Sequence, residues 1–206
     1  MQYPTNILDG PTATELLRFF KENPVYSLAG FNIWTFDALD DDAAAILAEC
    51  NIDPLWLDSL RFLSPEAAKR LVQFRGCYLS FGGLEEISPE VAAILTEFRG
   101  VSLSLAGLTD PTPEAASVLA RFPGLLSLNG IRILSVETAT ALAAHRGALI
   151  LDGLLYLPEE VAKALSNHKG DTLSLESLRF MSDRAAKALA GYRGTLELMV
   201  DDVKKG

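Results

Sequence analysis

His145 and His168 are the only histidines in this 206-residue chain. Two imidazoles could hold a metal ion or supply a general base. Both, however, stand at a position that is Phe74, Phe98, Phe122 and Tyr192 elsewhere, at intervals of 23 or 24 residues. One aromatic packing column accounts for all six, and a metal would want further ligands in the neighbouring copies. Cys50 and Cys77 share no column and form no Cys-x-x-Cys pair, so both are expected to be buried structural thiols. Ser80, Ser104, Ser127 and Ser174 invite a hydrolase reading, but each fills the middle of a recurring Leu-x-Leu, and no Gly-x-Ser-x-Gly elbow is present. No phosphate-binding loop or dinucleotide fingerprint occurs either. Asp40-Asp41-Asp42 could suggest calcium; placed just before Ala43-Ala44-Ala45, it reads as a helix N-terminus. These residues predict a chain that is not an enzyme, with no metal site and no cofactor.

The columns exist because the chain repeats. Leu-x-Leu, with Phe in one place, recurs at Leu55/Leu57, Leu79/Phe81, Leu103/Leu105, Leu126/Leu128, Leu149/Leu151, Leu173/Leu175 and Leu196/Leu198. The second members step by 24, 24, 23, 23, 24 and 23 residues. Tyr26/Leu28 reads as an earlier copy, which places an insertion in the first repeat, from Asn32 to Phe36. Alternation over so few residues predicts a short strand with one buried face. A small residue follows two positions on (Ser59, Gly83, Gly107, Gly130, Gly153, Ser177), fitting a turn of positive φ or a close backbone approach. Helix starts come next: Ser64-Pro65-Glu66, Ser88-Pro89-Glu90 and Thr112-Pro113-Glu114 combine a capping hydroxyl, a proline and an acid. Ser135 and Ser182 start helices without the proline, and Pro158-Glu159-Glu160 lacks the hydroxyl. The helices are short and alanine-rich, and a basic residue with glycine follows, as in Arg75-Gly76 and Arg99-Gly100, which predicts a dipole-matched, left-handed C-terminal cap.

One unit cannot bury its own apolar face, whereas stacked units can. The expected class is therefore α/β: a right-handed solenoid of about seven repeats of 23–24 residues, parallel strands on one face and short helices on the other. Residues 1–24, with a helix near Thr12–Lys21, are expected to form an N-terminal helical cap on a solenoid spanning 25–206, a single domain overall. The charged tail Asp201–Lys205 is expected to blunt the other end.

This period and strand resemble the leucine-rich-repeat family, over roughly residues 25–200. The usual repeat carries Asn or Cys three residues after the central Leu-x-Leu. Here that position is Leu60, Leu84, Leu108, Ile131, Leu154 or Leu178, so the chain looks more like a bacterial variant reading L-x-L-x-G-L-x-x-L-S-P-E-A-A. The resemblance implies protein recognition, commonly on the strand face; that is analogy at the level of fold.

Charge narrows the partners. A net charge of -9 disfavours nucleic acid and anionic membrane surfaces, and no apolar run is long enough to span a bilayer. The first residues show no basic or apolar leader, so a cytoplasmic, reducing compartment is expected unless a signal has been removed. A monomer is expected. The outward Leu-x-Leu column reads Ser27, Trp56, Ser80, Ser104, Ser127, Ile150, Ser174 and Glu197, and Tyr78 lies in the column before it. Trp56, Tyr78 and Ile150 break a pattern of small polar residues and could anchor a partner; alternatively Trp56 packs under the insertion. Asp58, Asp152 and Glu176 share the next outward column and could form an acidic patch, interrupted by Gly82, Ala106 and Asn129. The expected function is a non-enzymatic scaffold that binds a protein or peptide through Trp56, Asp58, Tyr78, Ile150 and Asp152. The alternative is an architectural spacer of a larger protein with no partner of its own. Arg61-Phe62, Leu155-Tyr156 and Arg179-Phe180 mark a second candidate surface in the strand-to-helix loops.

Overall fold

A computed structural model describes residues 6–22, 31–32, 36–199 and 204–205. Along the chain run β1 (Ile7–Leu8), α1 (Gly10–Glu22), β2 (Phe31–Asn32), β3 (Ala38–Leu39), α2 (Asp41–Ala48) and β4 (Leu55–Trp56). A regular series follows: α3 (Pro65–Leu71), β5 (Tyr78–Ser80), α4 (Pro89–Leu95), β6 (Ser102–Ser104), α5 (Pro113–Leu119), β7 (Leu125–Ser127), α6 (Val136–Leu142) and β8 (Leu149–Ile150). The series closes with β9 (Tyr156–Leu157), α7 (Glu159–Leu165), β10 (Thr172–Ser174), β11 (Phe180–Met181), α8 (Asp183–Leu189), β12 (Thr195–Glu197) and β13 (Lys204–Lys205).

The fold is a repeated α/β architecture. Eight strands form one sheet in the order β12-β10-β8-β7-β6-β5-β4-β2, and every pairing in it is parallel. Register places Leu55, Leu79, Leu103, Leu126, Leu149, Leu173 and Leu196 side by side. All but the last of these are buried, and they share one core with the alanines and leucines of the helices. A helix of seven residues is too short to hold by itself. Here each is fixed by its buried face, as with Ala67, Ala68 and Leu71 of α3, and by its cap. Ser64, Ser88, Thr112, Ser135 and Ser182 each accept from the backbone N–H three residues on, Asp40 does so for α2, and Pro158 leaves α7 without a side-chain cap.

Each strand is followed by a turn in which the N–H three residues beyond the second leucine-position residue donates back to its carbonyl, as Leu60 to Leu57 and Leu108 to Leu105. The apolar residue of that turn is buried in every unit from Leu60 to Leu178. Short two-residue strands before some helices pair laterally in a second ribbon, β13-β11-β9, and in β1-β3.

Two expectations change, the insertion and the left-handed helix caps. Among the described residues the first strand of the main sheet is β2; Tyr26/Leu28 lie outside them. Phe31 pairs with Leu55 at the ordinary spacing, so no insertion sits there; the longer step is between β1 and β3, where Leu8 pairs with Leu39. α1 begins at Gly10 and packs beside α2, with Asp9 accepting from Thr12 N–H at 2.9 Å in the manner of the other caps. The glycines after the helices are not left-handed caps: no described glycine has a φ between +20° and +160°. Helix α3 ends at Leu71 and is capped by its own backbone at Val72, so Gly76 lies beyond it and serves close packing instead. A Cβ at Gly83 would stand 2.5 Å from the Asp58 carbonyl oxygen, which settles the turn glycines in favour of close approach. Of the C-terminal tail only Lys204–Lys205 is described, as β13 paired with β11.

Candidate functional site

The outward side of the main sheet carries the sequence-predicted residues. Side chains alternate along a strand. With Leu55 and Leu79 turned into the core, Trp56 on β4 and Tyr78 and Ser80 on β5 turn out. Register sets Trp56 directly beside Ser80, so Tyr78 is its diagonal neighbour. Trp56 is 37% exposed and Tyr78 50%. Next to them lies a small hydroxylated field: Ser102 and Ser104 on β6 and Ser127 on β7 continue the two outward columns. Ile150 is half-buried on β8, beside Ser127 and Ser174. Four strand steps separate it from Trp56, about 19 Å at normal strand spacing. The sheet thus brings Trp56 and Tyr78 together and leaves Ile150 and Asp152 as a separate locus.

The carboxylates do something the sequence did not reveal. Asp58 accepts from Ser80 Oγ at 2.6 Å and from Gly82 N–H at 2.7 Å. Asp152 repeats this one-sidedly down the stack, accepting from Ser174 Oγ at 2.6 Å and Glu176 N–H at 2.9 Å. Asn129 accepts from Asp152 N–H at 3.0 Å. These side chains staple each unit to the next, and they leave Ser174 buried rather than solvated. The signal was in the sequence: an acid in this column followed by serine in the next unit's Leu-x-Leu. Asp53 makes a further staple, its carboxylate taking the N–H groups of Cys77 and Tyr78 at 2.8 and 3.0 Å and so fixing the strand that carries Tyr78. Replacing Asp58 by alanine is expected to cost about 1–3 kcal/mol of stability, because two half-buried donors lose a charged acceptor. Urea unfolding checks this, and an unchanged midpoint would mean the carboxylate is free for a ligand.

The two histidines lie in the aromatic column. Phe74, Phe98 and Phe122 stack at 6.3 Å between successive centroids, His145 stacks on His168 at 6.0 Å, and His168 meets Tyr192 at 5.7 Å. Both imidazoles are buried. His145 Nδ1 and Nε2 face the carbonyl oxygens of Ala120 and Ala148 at 3.4 and 3.3 Å, although a neutral ring can donate to only one. Neither ring nitrogen of His168 reaches a hydrogen-bond partner among the described residues. Burial holds both histidines below the ordinary value of 6.5; for His168 the neighbouring His145 adds to this, while backbone groups near each ring oppose it weakly. The sign follows from linkage. The unfolded chain takes up protons near pH 6.5 and the folded chain resists them, so this contribution is complete above that value and is lost as the pH falls below it. The urea midpoint is expected to fall between about pH 7.5 and about pH 5.5, and to fall less in a His145→Phe, His168→Phe variant. Equal slopes would show that the histidines do not carry the acid sensitivity.

The thiols differ from expectation. Cys50 is half-buried but Cys77 is exposed, because it stands at the rim where the strands begin, in a column that also holds Asp53 and Val101. Burial raises Cys50, and the Asp53 carboxylate beside Cys77 raises that thiol, so neither is an activated nucleophile. Among the described residues no group of three or more His, Cys, Asp or Glu is arranged to hold a metal. No described helix is long and apolar enough to cross a membrane. The second surface is real as geometry: Tyr156 and Phe180 pair in register across β9 and β11, both exposed, with Ile133 exposed one unit earlier, while Phe62 is half-buried. No protein-family model matches the chain, and no curated protein matches it.

Proposed function

We propose that the chain is a non-enzymatic recognition scaffold, a right-handed solenoid of the leucine-rich-repeat type, that engages a protein or peptide on its strand face. The observation that carries this reading is the exposed pair Trp56 and Tyr78, diagonal neighbours on a sheet whose register is fixed strand by strand. Large aromatics in solvent, on a rigid base, are the composition of binding anchors, and prior ordering lowers the cost of association. The serines beside them offer adaptable hydroxyls, and Ile150 would make a second contact for a partner long enough to cross the face. Asp58 and Asp152 then act by holding the sheet edge-true under the anchors. A buried leucine column in place of a buried Asn column fits an irregular variant of the family, its turns closed by backbone hydrogen bonds.

Affinity capture with the wild-type chain, run beside a folded Trp56→Ser, Tyr78→Ser, Ile150→Ser variant, tests the reading. A partner held by the first and lost by the second supports it. A partner held equally by both moves the site off the strand face. The architectural alternative draws on one observation: apart from Tyr78 and Leu125 the outward positions of β5–β7 are all serine, with Ser80 engaged by Asp58. Capture of nothing by either chain would favour it.

A further inference from the structure

In a chain of net charge -9, five of the 18 lysines and arginines fall in one row. Arg75, Arg99, Arg146, Lys169 and Arg193 each directly follow a member of the aromatic column, and all five are exposed. The sixth place is Pro123. Among the described residues the ion pairs involve Arg61, Lys69, Lys163 and Arg184 instead, and none of the five has an ion pair or a side-chain hydrogen bond. Nor do they cap helices: α3, α4, α6, α7 and α8 end at Leu71, Leu95, Leu142, Leu165 and Leu189, four residues before each cation. The acids of the first helical turns, such as Glu66, Glu90 and Glu114, stand at the opposite edge, where strands end and helices begin. Arg61 and Arg179 also stand at that opposite edge, and Asp53 at the basic one, so what distinguishes the row is five exposed cations without an ion-pair partner among the described residues. The basic edge also has a ruler beneath it, since consecutive rings that stack do so 5.7–6.3 Å apart.

We infer that this edge, where the helices end and the strands begin, is a docking row for an extended acidic peptide segment of a partner protein, laid across the units. Alternate residues of an extended chain recur about every 6.6–6.8 Å, close to the stacking pitch, and arginine takes a carboxylate through two N–H groups. The gap at Pro123 requires a neutral residue at the third acidic place. The body of the chain repels a dense polyanion at range, which favours a sparsely acidic peptide over nucleic acid.

The probe is a fluorescein-labelled peptide with Glu at alternate positions, Ser elsewhere, and Ser at the third acidic place. Its binding to the full chain, read by fluorescence anisotropy at low salt, is expected to weaken with added salt. It should fall roughly tenfold or more in an Arg146→Gln, Lys169→Gln, Arg193→Gln variant that unfolds at the wild-type temperature. Trp56→Ser, Tyr78→Ser should bind the probe as the wild type does, which separates this edge from the strand face. The proposal is overturned by absence of binding, by equal binding of a peptide with the same residues in two blocks, by equal or tighter binding of a single-stranded oligonucleotide of equal charge, or by an unchanged affinity in the triple variant.

Discussion

Phe98→Ala is expected to lower the unfolding free energy by about 3–5 kcal/mol, the range for a large aromatic removed from a packed core. Phe98 is almost wholly buried and stacks on Phe74 and Phe122, 6.3 Å from each. Two losses add together. The ring's transfer free energy is forfeited, and a cavity opens between two rings whose backbones are held apart by strand pairing, so neither can slide in to fill it. Denaturant unfolding followed by far-ultraviolet circular dichroism measures the change. Tyr192→Ala is the comparison: it sits at the end of the same column, half-buried, with its hydroxyl donating to the Gly170 carbonyl at 2.7 Å, and should cost less. Equal losses at the two places would mean that the column does not act as a stack.

The second large effect comes from adding one carbon. In Gly147→Ala the new Cβ would lie 1.9 Å from the Gly124 carbonyl oxygen and 2.7 Å from its carbon. Those are backbone atoms of the preceding unit, so no rotamer change relieves the clash and the two units must separate. Overpacking of this kind costs about 1–3 kcal/mol, sometimes more. Gly191→Ala, whose Cβ would meet only the Ala188 carbonyl oxygen at 3.2 Å, should be nearly silent. Thermal unfolding of the pair, with circular dichroism of the native states, decides. A tolerant Gly147 would remove the reason offered for glycine after every ring.

What the sequence made legible was whatever the period imposes. The leucine register, the hydroxyl caps and the aromatic column with its two histidines all follow from residues that return every 23 or 24 positions, because a repeated burial environment demands a repeated residue type. Where the period is broken, single-chain reading had less to hold. Phe31, which pairs with Leu55, is not a leucine, so the pattern did not mark it. The glycines misled because composition alone does not separate a left-handed cap from a close approach; only the Cβ geometry at Gly83 and Gly147 does. For the site, Trp56, Tyr78 and Ile150 were visible as exceptions in an outward column, yet their separation into two loci requires counting strands. Asp58 and Asp152 looked like ligands for others and proved to be acceptors for Ser80 and Ser174. Free carboxylate and internal acceptor differ by a few ångströms, and one-dimensional spacing does not resolve that.

The main sheet is assembled in nearly serial order, and its strands pair only with the unit before and the unit after. The helices likewise pack chiefly on their sequence neighbours. Among the described residues no strand pairing ties β2 to β12, so the sheet has no closing pair whose loss would bring down the whole. Opening can start at an end and advance one unit at a time, each step exposing one leucine row and one ring. Amide hydrogen exchange should then be graded along the chain: slowest at Leu103 and Leu126 in the middle, fastest at Leu196. A proteolytic nick at the last strand would leave the interior still protected.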